Sequence, residues 1–357
     1  MSLECIRFEQ EKQYIRDFLS LPKRLYGKEE NMENSKEVES LLQGRHPLSG
    51  YFTLHKFLVY QNKKVSGRFV ITTYEGDKTA YLGFFECMKD DEVAAFLFAK
   101  ASEYAMEAGY QKMIGPVDAS FWIKYRLKIN LFQNLPYTGE PYNKEYYLKL
   151  FRENGFDICH HYTSNIYSRV VSEEPLYDAR YLAFLGKGYE IISPGIQEFD
   201  RIMKELYELI SELYRDFPIY KSVSYKDFAS VFSDYRHIIN MSMVKMAYYG
   251  GKAVGFFISV PDYGNKVFHL QNPVNLWKVF AIKKKPKRYV MLYMGVDGEH
   301  RGLGKALVGS IMEELRKSGL PSVGALARDG KVTQKYGAEH IEQCCEYVLL
   351  EKLLGSE

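Results

Sequence analysis

Apolar and polar positions follow two successive rounds of one order along the chain. In the first round, Phe57–Tyr60 reads as a strand and Gln61–Lys64 as a turn. Val65–Tyr74 reads as the antiparallel partner, and Thr79–Cys87 as a third strand. Asp90-Asp91-Glu92 places acids where a helix N-terminus favours them, ahead of a helical pattern over Val93–Ala108 that Gly109 stops. A strand from Met113, an aromatic loop over Ser120–Asn143, a short helix over Lys144–Asn154 and a strand or hairpin over Asp157–Val170 follow. The second round predicts a strand at Tyr189–Ile192, helices at Ile196–Tyr214 and Tyr225–Asp234, and a hairpin of Met243–Tyr249 and Ala253–Val260 around Gly250-Gly251. A long insertion over Pro261–Arg288 precedes a strand at Tyr289–Val296, a helix at Gly304–Ser318 stopped by Gly319, a strand at Val323–Ala327, a short helix at Lys331–Tyr336 and a last strand region over Ile341–Lys352. The first 50 residues read as a helical and irregular preamble, with a helical pattern over Glu9–Leu19.

This repeat of element order, without detectable identity between the halves, predicts an α+β fold of two similar domains. Their expected bounds are 1–170 and 188–357, joined by a linker over 171–187 that starts Ser172-Glu173-Glu174-Pro175. The length of 357 residues suits two domains of ordinary size. The net charge of +3 is too balanced for a dedicated nucleic-acid binder. Five cysteines without a CxxC spacing argue against a disulfide framework or a zinc site, so no metal is expected. No apolar run is long enough for a membrane span, and the charged N-terminus lacks a signal-peptide core, which places the expected location in the cytoplasm. The 30 tyrosines suit half-buried strands as well as a substrate pocket.

The segment that carries chemistry is Tyr289-Val-Met-Leu-Tyr-Met-Gly-Val-Asp-Gly-Glu-His-Arg-Gly-Leu-Gly-Lys-Ala-Leu-Val308: an apolar strand, a glycine turn and a helix. Unpaired N–H groups at a helix N-terminus and the helix dipole favour an anion, and glycine lets the backbone approach it. Neither the P-loop nor the Rossmann glycine spacing is present. Gly295-Val296 followed by Arg301-Gly302-x-Gly304-x-Ala306-Leu307 resembles the coenzyme motif of the GNAT superfamily of acyl-CoA-dependent N-acyltransferases, and the element order over about residues 188–353 fits it. The whole chain resembles tandem bacterial GNAT-like proteins: two domains, each a mixed, mostly antiparallel sheet flanked by helices. Their Gly-Pro-x-x-x-Ser and Pro-Tyr-Asn-x-x-Tyr-Tyr segments read here Gly115–Ser120 and Pro141–Tyr147.

The resemblance implies an acyl donor, expected to be acetyl-CoA. Its pantetheine arm would pair with the backbone around Met294 and Val296, and its pyrophosphate would lie on the amides of Arg301, Gly302, Leu303, Gly304, Lys305 and Ala306. The equivalent junction of the first half, Phe84–Glu92, lacks the motif and ends in three consecutive acids, Asp90, Asp91 and Glu92, so a single coenzyme site is expected. The acceptor would be an amine on a small molecule or peptide.

Acyl transfer needs a neutral amine, a stabilised oxyanion and a proton for the leaving thiolate. The amide near Val296 fits the oxyanion role. The family's tyrosine acid, four residues before the glycine that ends the short helix, would fall on Thr333, a departure from the pattern. Tyr336, one turn on, is the candidate acid, Thr333 a candidate for orienting water, and Glu299 a candidate base. In the aromatic loop, Asp118, Trp122, Arg126, Tyr142 and Asn143 suit recognition of a polar substrate or packing between the halves. A non-catalytic acyl-CoA-binding regulator and a Fem-like aminoacyl-tRNA-dependent transferase are the alternatives.

Overall fold

The computed structural model describes residues 2–355. Contacts divide the chain into two compact units. The first runs through Pro136, resumes over Glu140–Tyr162 and takes the chain from Glu346 onward, while the second comprises Tyr137–Gly139 and Thr163–Cys345.

The first unit opens with β1 (Leu3–Phe8), α1 (Lys12–Leu25) and α2 (Ser35–Leu42). It continues with β2 (Thr53–Gln61), β3 (Lys64–Thr73), β4 (Thr79–Cys87), α3 (Asp91–Glu107) and β5 (Lys112–Gly115). The two-residue strands β6 (Val117–Asp118), β7 (Lys124–Tyr125) and β8 (Leu127–Lys128), the helix α4 (Tyr147–Glu153) and the start of β9 (Asp157–Tyr167) complete that stretch. β1 to β4 are antiparallel neighbours in sequence order, and β4 and β5 are parallel. Alternation along the strands sends Phe57, Val59, Phe69 and Ile71 into a core with Leu97 and Phe98 of α3, and Leu58 and Val70 into a second core with Phe18 and Leu21 of α1. The preamble is therefore less irregular than its sequence suggests. LECIRF forms a strand paired to β2 over its whole length, and α1 and α2 cover a sheet face.

The second unit continues with α5 (Pro175–Leu185), β10 (Tyr189–Ile192), α6 (Phe199–Leu213), α7 (Tyr225–Phe232), α8 (Tyr235–Ile238), β11 (Val244–Tyr249) and β12 (Lys252–Pro261). Then come α9 (Pro273–Lys284), β13 (Tyr289–Val296), α10 (Leu303–Ser318), β14 (Ser322–Arg328) and β15 (Ile341–Leu353). Strands β10 to β13 are antiparallel in sequence order, and β13 pairs with β14 in parallel. Residues 175–185, expected within a linker, form α5. Tyr177 and Phe184 are buried on it and Tyr181 is partly buried, so one apolar stripe at i, i+4 and i+7 packs with α10. The insertion also differs from expectation: it holds α9, and the short helix expected at 331–336 is a 3-10 turn over Val332–Lys335. Among the described residues, no helix is long and apolar enough to cross a membrane.

The α5–α10 approach rests on Gly309. A Cβ there would lie 2.6 Å from the Tyr177 carbonyl oxygen, a backbone atom that cannot swing aside. We expect Gly309→Ala to destabilise the protein by about 1–3 kcal/mol, as overpacking does. Urea unfolding with an unchanged midpoint would show that the two helices have room to part.

Candidate active site

In the second unit, β13 and β14 pair only at Tyr289–Ser322, Val290–Val323 and Met291–Gly324. β13 runs on to Val296 and β14 to Arg328 without further pairing to each other. An irregularity in the β12–β13 ladder coincides with the parting: Ser259 faces Met291 and Ile258 faces Tyr293, leaving Leu292 extra. The edge of β13 from Leu292 to Val296 therefore borders an opening whose backbone groups need partners from elsewhere. One acceptor is already used, because the Tyr214 hydroxyl, at the end of α6, donates to the Met294 carbonyl at 3.2 Å.

β13 leads into a tight turn. The His300 amide donates to the Asp297 carbonyl, the Leu303 amide to the His300 carbonyl and the Lys305 amide to the Gly302 carbonyl, while the Glu299 amide donates to Asp297 Oδ1. Among the described residues, the amides of Arg301, Gly302 and Gly304 carry no such bond. Gly302 occupies the N-cap at φ +90°, a left-handed conformation that favours glycine, and supplies no capping side chain. Arg301 is exposed and Lys305 half-buried, so positive charge flanks the open helix end. Leu303 and Ala306 are wholly buried and anchor α10 to the sheet.

Tyr336 reaches the same place. A Cβ on Gly304 would lie 2.7 Å from the Tyr336 hydroxyl and 3.2 Å from Met294 Cε. Gly304, Met294 and Tyr336 thus converge at the first turn of α10. Burial, then the neighbouring Tyr177, raises the Tyr336 pKa above its ordinary value, which keeps the phenol protonated at neutral pH. The Tyr336 carbonyl accepts from the Tyr167 hydroxyl at 2.9 Å, and the Gly337 amide donates to the Tyr177 hydroxyl oxygen at 2.8 Å. Thr333 meets Tyr336 through its carbonyl, which accepts the Tyr336 amide at 3.5 Å. Glu299 is exposed on the turn. Glu174, Glu339 and His340 bring potential metal-ligand atoms within 4.8 Å of one another, but a 2.7 Å bond between His340 Nε2 and Glu174 accounts for that approach.

The equivalent junction of the first unit is closed by the chain itself. β4 and β5 also part after three paired positions, Thr79–Lys112 to Tyr81–Ile114. Beyond them the backbone of Val117 lies against Gly83 so closely that a Cβ there would overlap it, and the Asp118 carboxylate accepts the Phe84 amide. At the start of α3, Asp90 Oδ1 accepts the amides of Glu92 (3.0 Å) and Val93 (3.1 Å), consuming donors that stand open on α10. The ladders match as well. Gly67 faces Cys87 as Gly255 faces Val296, and the next pair is Arg68–Glu86 where the second unit has Phe256–Gly295.

A buried carboxylate thus stands where the second unit has a glycine. Glu86 Oε2 accepts from Tyr147 at 2.5 Å and Tyr26 at 2.9 Å, and Oε1 lies 3.9 Å from Arg68. Burial outweighs Arg68 and the Tyr147 bond and pushes the Glu86 pKa up to about 7. Sequence reasoning passed over Glu86, whose type and strand position say nothing of its burial. A pocket of about 430 Å³, counted with its open mouth, lies beside it in the first unit. Of the five loop residues expected to bind substrate, Asp118, Arg126, Tyr142 and Asn143 line this pocket. Trp122 stands outside that lining, edge-on to Phe121 at 5.2 Å. Asn143 bonds the Lys128 backbone in both directions, and Tyr142 donates to the Phe132 carbonyl, so both brace the loop.

No family model matches the sequence, and no curated protein matches it. Solved structures share its fold. A tandem GNAT protein from the clavulanic acid biosynthesis pathway is 14% identical, with a TM-score of 0.57 and 100% of both chains covered. A GNAT-type glucosamine N-acetyltransferase region of a fungal multi-domain β-N-acetylglucosaminidase is 14% identical at TM-score 0.53, covering 98% of this chain and 38% of that one. A GNAT-type N-acetyltransferase from Anabaena variabilis is 6% identical at TM-score 0.51, covering 99% of this chain and 73% of that one. The chain has a tandem GNAT fold: α+β, with mixed, mostly antiparallel sheet flanked by helices.

A carboxyl group whose folded pKa is raised favours the fold while it stays protonated and loses that advantage as pH rises. Glu86 therefore costs stability progressively between pH 4.5, its ordinary pKa, and about 7. Glu86→Gln keeps an oxygen for the two tyrosines and removes the charge. We expect its melting temperature to exceed that of the wild type at pH 8, with the gap narrowing towards pH 5. A gap independent of pH would remove Glu86 as the titrating group.

Proposed function

We propose that the second unit is an acyl-CoA-dependent N-acyltransferase that uses acetyl-CoA as donor and an amine on a small molecule or peptide as acceptor. The observation that carries this reading is the open helix end: α10 starts at an uncapped, left-handed Gly302, directly after a strand whose pairing with β14 stops at Met291. An extended amide-bearing arm suits the edge of β13 from Leu292 to Val296, including Met294 and Val296. A pyrophosphate suits the turn from Arg301 through Gly302, Leu303, Gly304 and Lys305 to Ala306, where the helix dipole adds to the charge of Arg301 and Lys305. The GNAT-fold neighbours support this chemistry by analogy of fold.

The acceptor nitrogen attacks the thioester carbonyl carbon, and the electron pair collects on oxygen, where an amide near Val296 would receive it. Collapse breaks the C–S bond. The amine loses a proton to water or a base, and the departing thiolate takes one from Tyr336, whose phenol stays protonated at neutral pH and is reprotonated from water afterwards. Thr333 and Glu299 are weaker participants, since the first meets Tyr336 through its backbone and the second faces solvent.

Release of free thiol from acetyl-CoA with a panel of amines tests the activity. Tyr336→Phe is expected to lower kcat by about a hundredfold, the scale of one acid–base group, while leaving acetyl-CoA affinity nearly unchanged. An unchanged kcat would remove Tyr336 from the chemistry. Gly304→Glu sets a carboxylate at the open helix end and is expected to abolish acetyl-CoA binding in calorimetry while the circular dichroism stays that of the wild type. Retained affinity would move the coenzyme elsewhere.

A further inference from the structure

The pocket of the first unit has a surplus of donors. Its charged lining consists of Arg68, Lys124 and Arg126 against Glu86 and Asp118. The acids are spent: Glu86 on Tyr26, Tyr147 and Arg68, and Asp118 on the Phe84 amide and on Lys124 at 2.9 Å. Arg68 is 1% exposed. Its Nη atoms are held by Glu33 and the Phe18 carbonyl, and its Nε is buried without an acceptor among the described residues.

Arg126 is the more telling group. Its guanidinium carbon lies 3.8 Å from the centroid of the Tyr125 ring and 4.3 Å from that of Tyr162. A guanidinium stacked on rings can still bond through N–H groups in its own plane. One of these donates to the Tyr125 hydroxyl, and the buried Nε has no acceptor among the described residues. Among the described residues, no ion pair of this unit includes Arg126. The residue also holds φ at +92°, and Phe84 and Ala119 beside the pocket hold +48° and +60°, conformations that cost energy in any non-glycine residue. A buried donor without a partner costs stability, more when charged, and a ligand that supplies acceptors removes that cost.

We propose that this pocket binds a small ligand through a carboxylate group, received edge-on by Arg126 with Arg68 Nε as a second donor. A planar carboxylate matches the guanidinium fork in two parallel bonds, whereas a doubly charged phosphate would meet Glu86 and Asp118 at greater cost. Tyr26, Tyr147 and Phe85 add aromatic rings to the lining for the rest of a small molecule. The site lies wholly within the first unit and stands independently of the coenzyme reading.

The test is calorimetry on the full chain, in a buffer free of carboxylates, with acetate, succinate and L-glutamate as probes and inorganic phosphate as the competitor class. At least one carboxylate is expected to bind with a Kd of about 1 mM or tighter. Arg126→Gln is expected to weaken that binding about tenfold or more, and Arg126→Lys, which keeps the charge without the fork, by less. Should either variant fail to fold, the wild-type protein still decides: succinate should raise its melting temperature, and the uncharged dimethyl succinate should not. Gly304→Glu should leave carboxylate binding intact, which separates this site from the coenzyme site. The proposal is overturned if none of the three acids binds, if phosphate binds more tightly than all of them, or if Arg126→Gln binds as the wild type does.

Discussion

Two parallel strands that stop pairing after three residues impose the constraint on which each unit is built. Backbone N–H and C=O groups beyond the parting lose their ladder and must find partners, since burying them unpaired costs free energy. The strand order makes this unavoidable, because the strand before the long helix parts from its parallel neighbour in both units. The units answer the same demand with different residues. The first answers from within, with the Val117 backbone seated against Gly83, Asp118 on the Phe84 amide and Asp90 on the first turn of α3. The second ends its β13–β14 pairing at Met291 and starts its helix at a glycine with no side chain to offer.

That contrast explains why similar topologies lead to different expectations for the two units. An uncapped helix N-terminus attracts anions through its free donors and its dipole, but one capped by a carboxylate has spent those donors and added a like charge. Asp90 alone therefore accounts for much of the difference, with Glu86 in the place of Gly295 adding a second acid deeper in the strand.

Strands β2 to β4, α3, the β11–β12 hairpin and the strand–turn–helix of β13 and α10 were legible because their information is local: alternation, helical spacing and glycine stops. Asp90 could be read for the same reason, as an acid one turn ahead of an apolar helix. The misses depend on tertiary contact. α5 begins Glu174-Pro175 and ends Gly186-Lys187-Gly188, the punctuation of a linker, and its Tyr177–Tyr181–Phe184 stripe gains meaning only against α10. β1 is too short to show a period and is defined by its pairing with β2. α9 leaves Leu276, Trp277 and Phe280 exposed, so it gives no polar–apolar contrast to read. The aromatic loop was legible as a cluster, but not in its division of labour: Asn143 and Tyr142 brace the backbone, while Arg126 keeps a donor in reserve.

The buried charges of the first unit cannot be explained by stability alone. Removing an ion pair from water costs several kcal/mol per ion, and well-packed apolar groups of similar volume are often as stable or more so. The first unit nevertheless buries Lys128 against Glu140 with side chains 0% and 1% exposed, and Arg68 with Glu33 and Glu86. The Lys128–Glu140 pair has a geometric role, since Glu140 also takes the Tyr347 hydroxyl and Asn143 bonds the Lys128 backbone, fixing the loop that carries Arg126. Arg68 spans from Phe18 in α1 to Glu86 in β4 and so holds the floor of the pocket in one arrangement. Rigid charges of this kind serve recognition better than they serve folding, because their desolvation is already met before a ligand arrives.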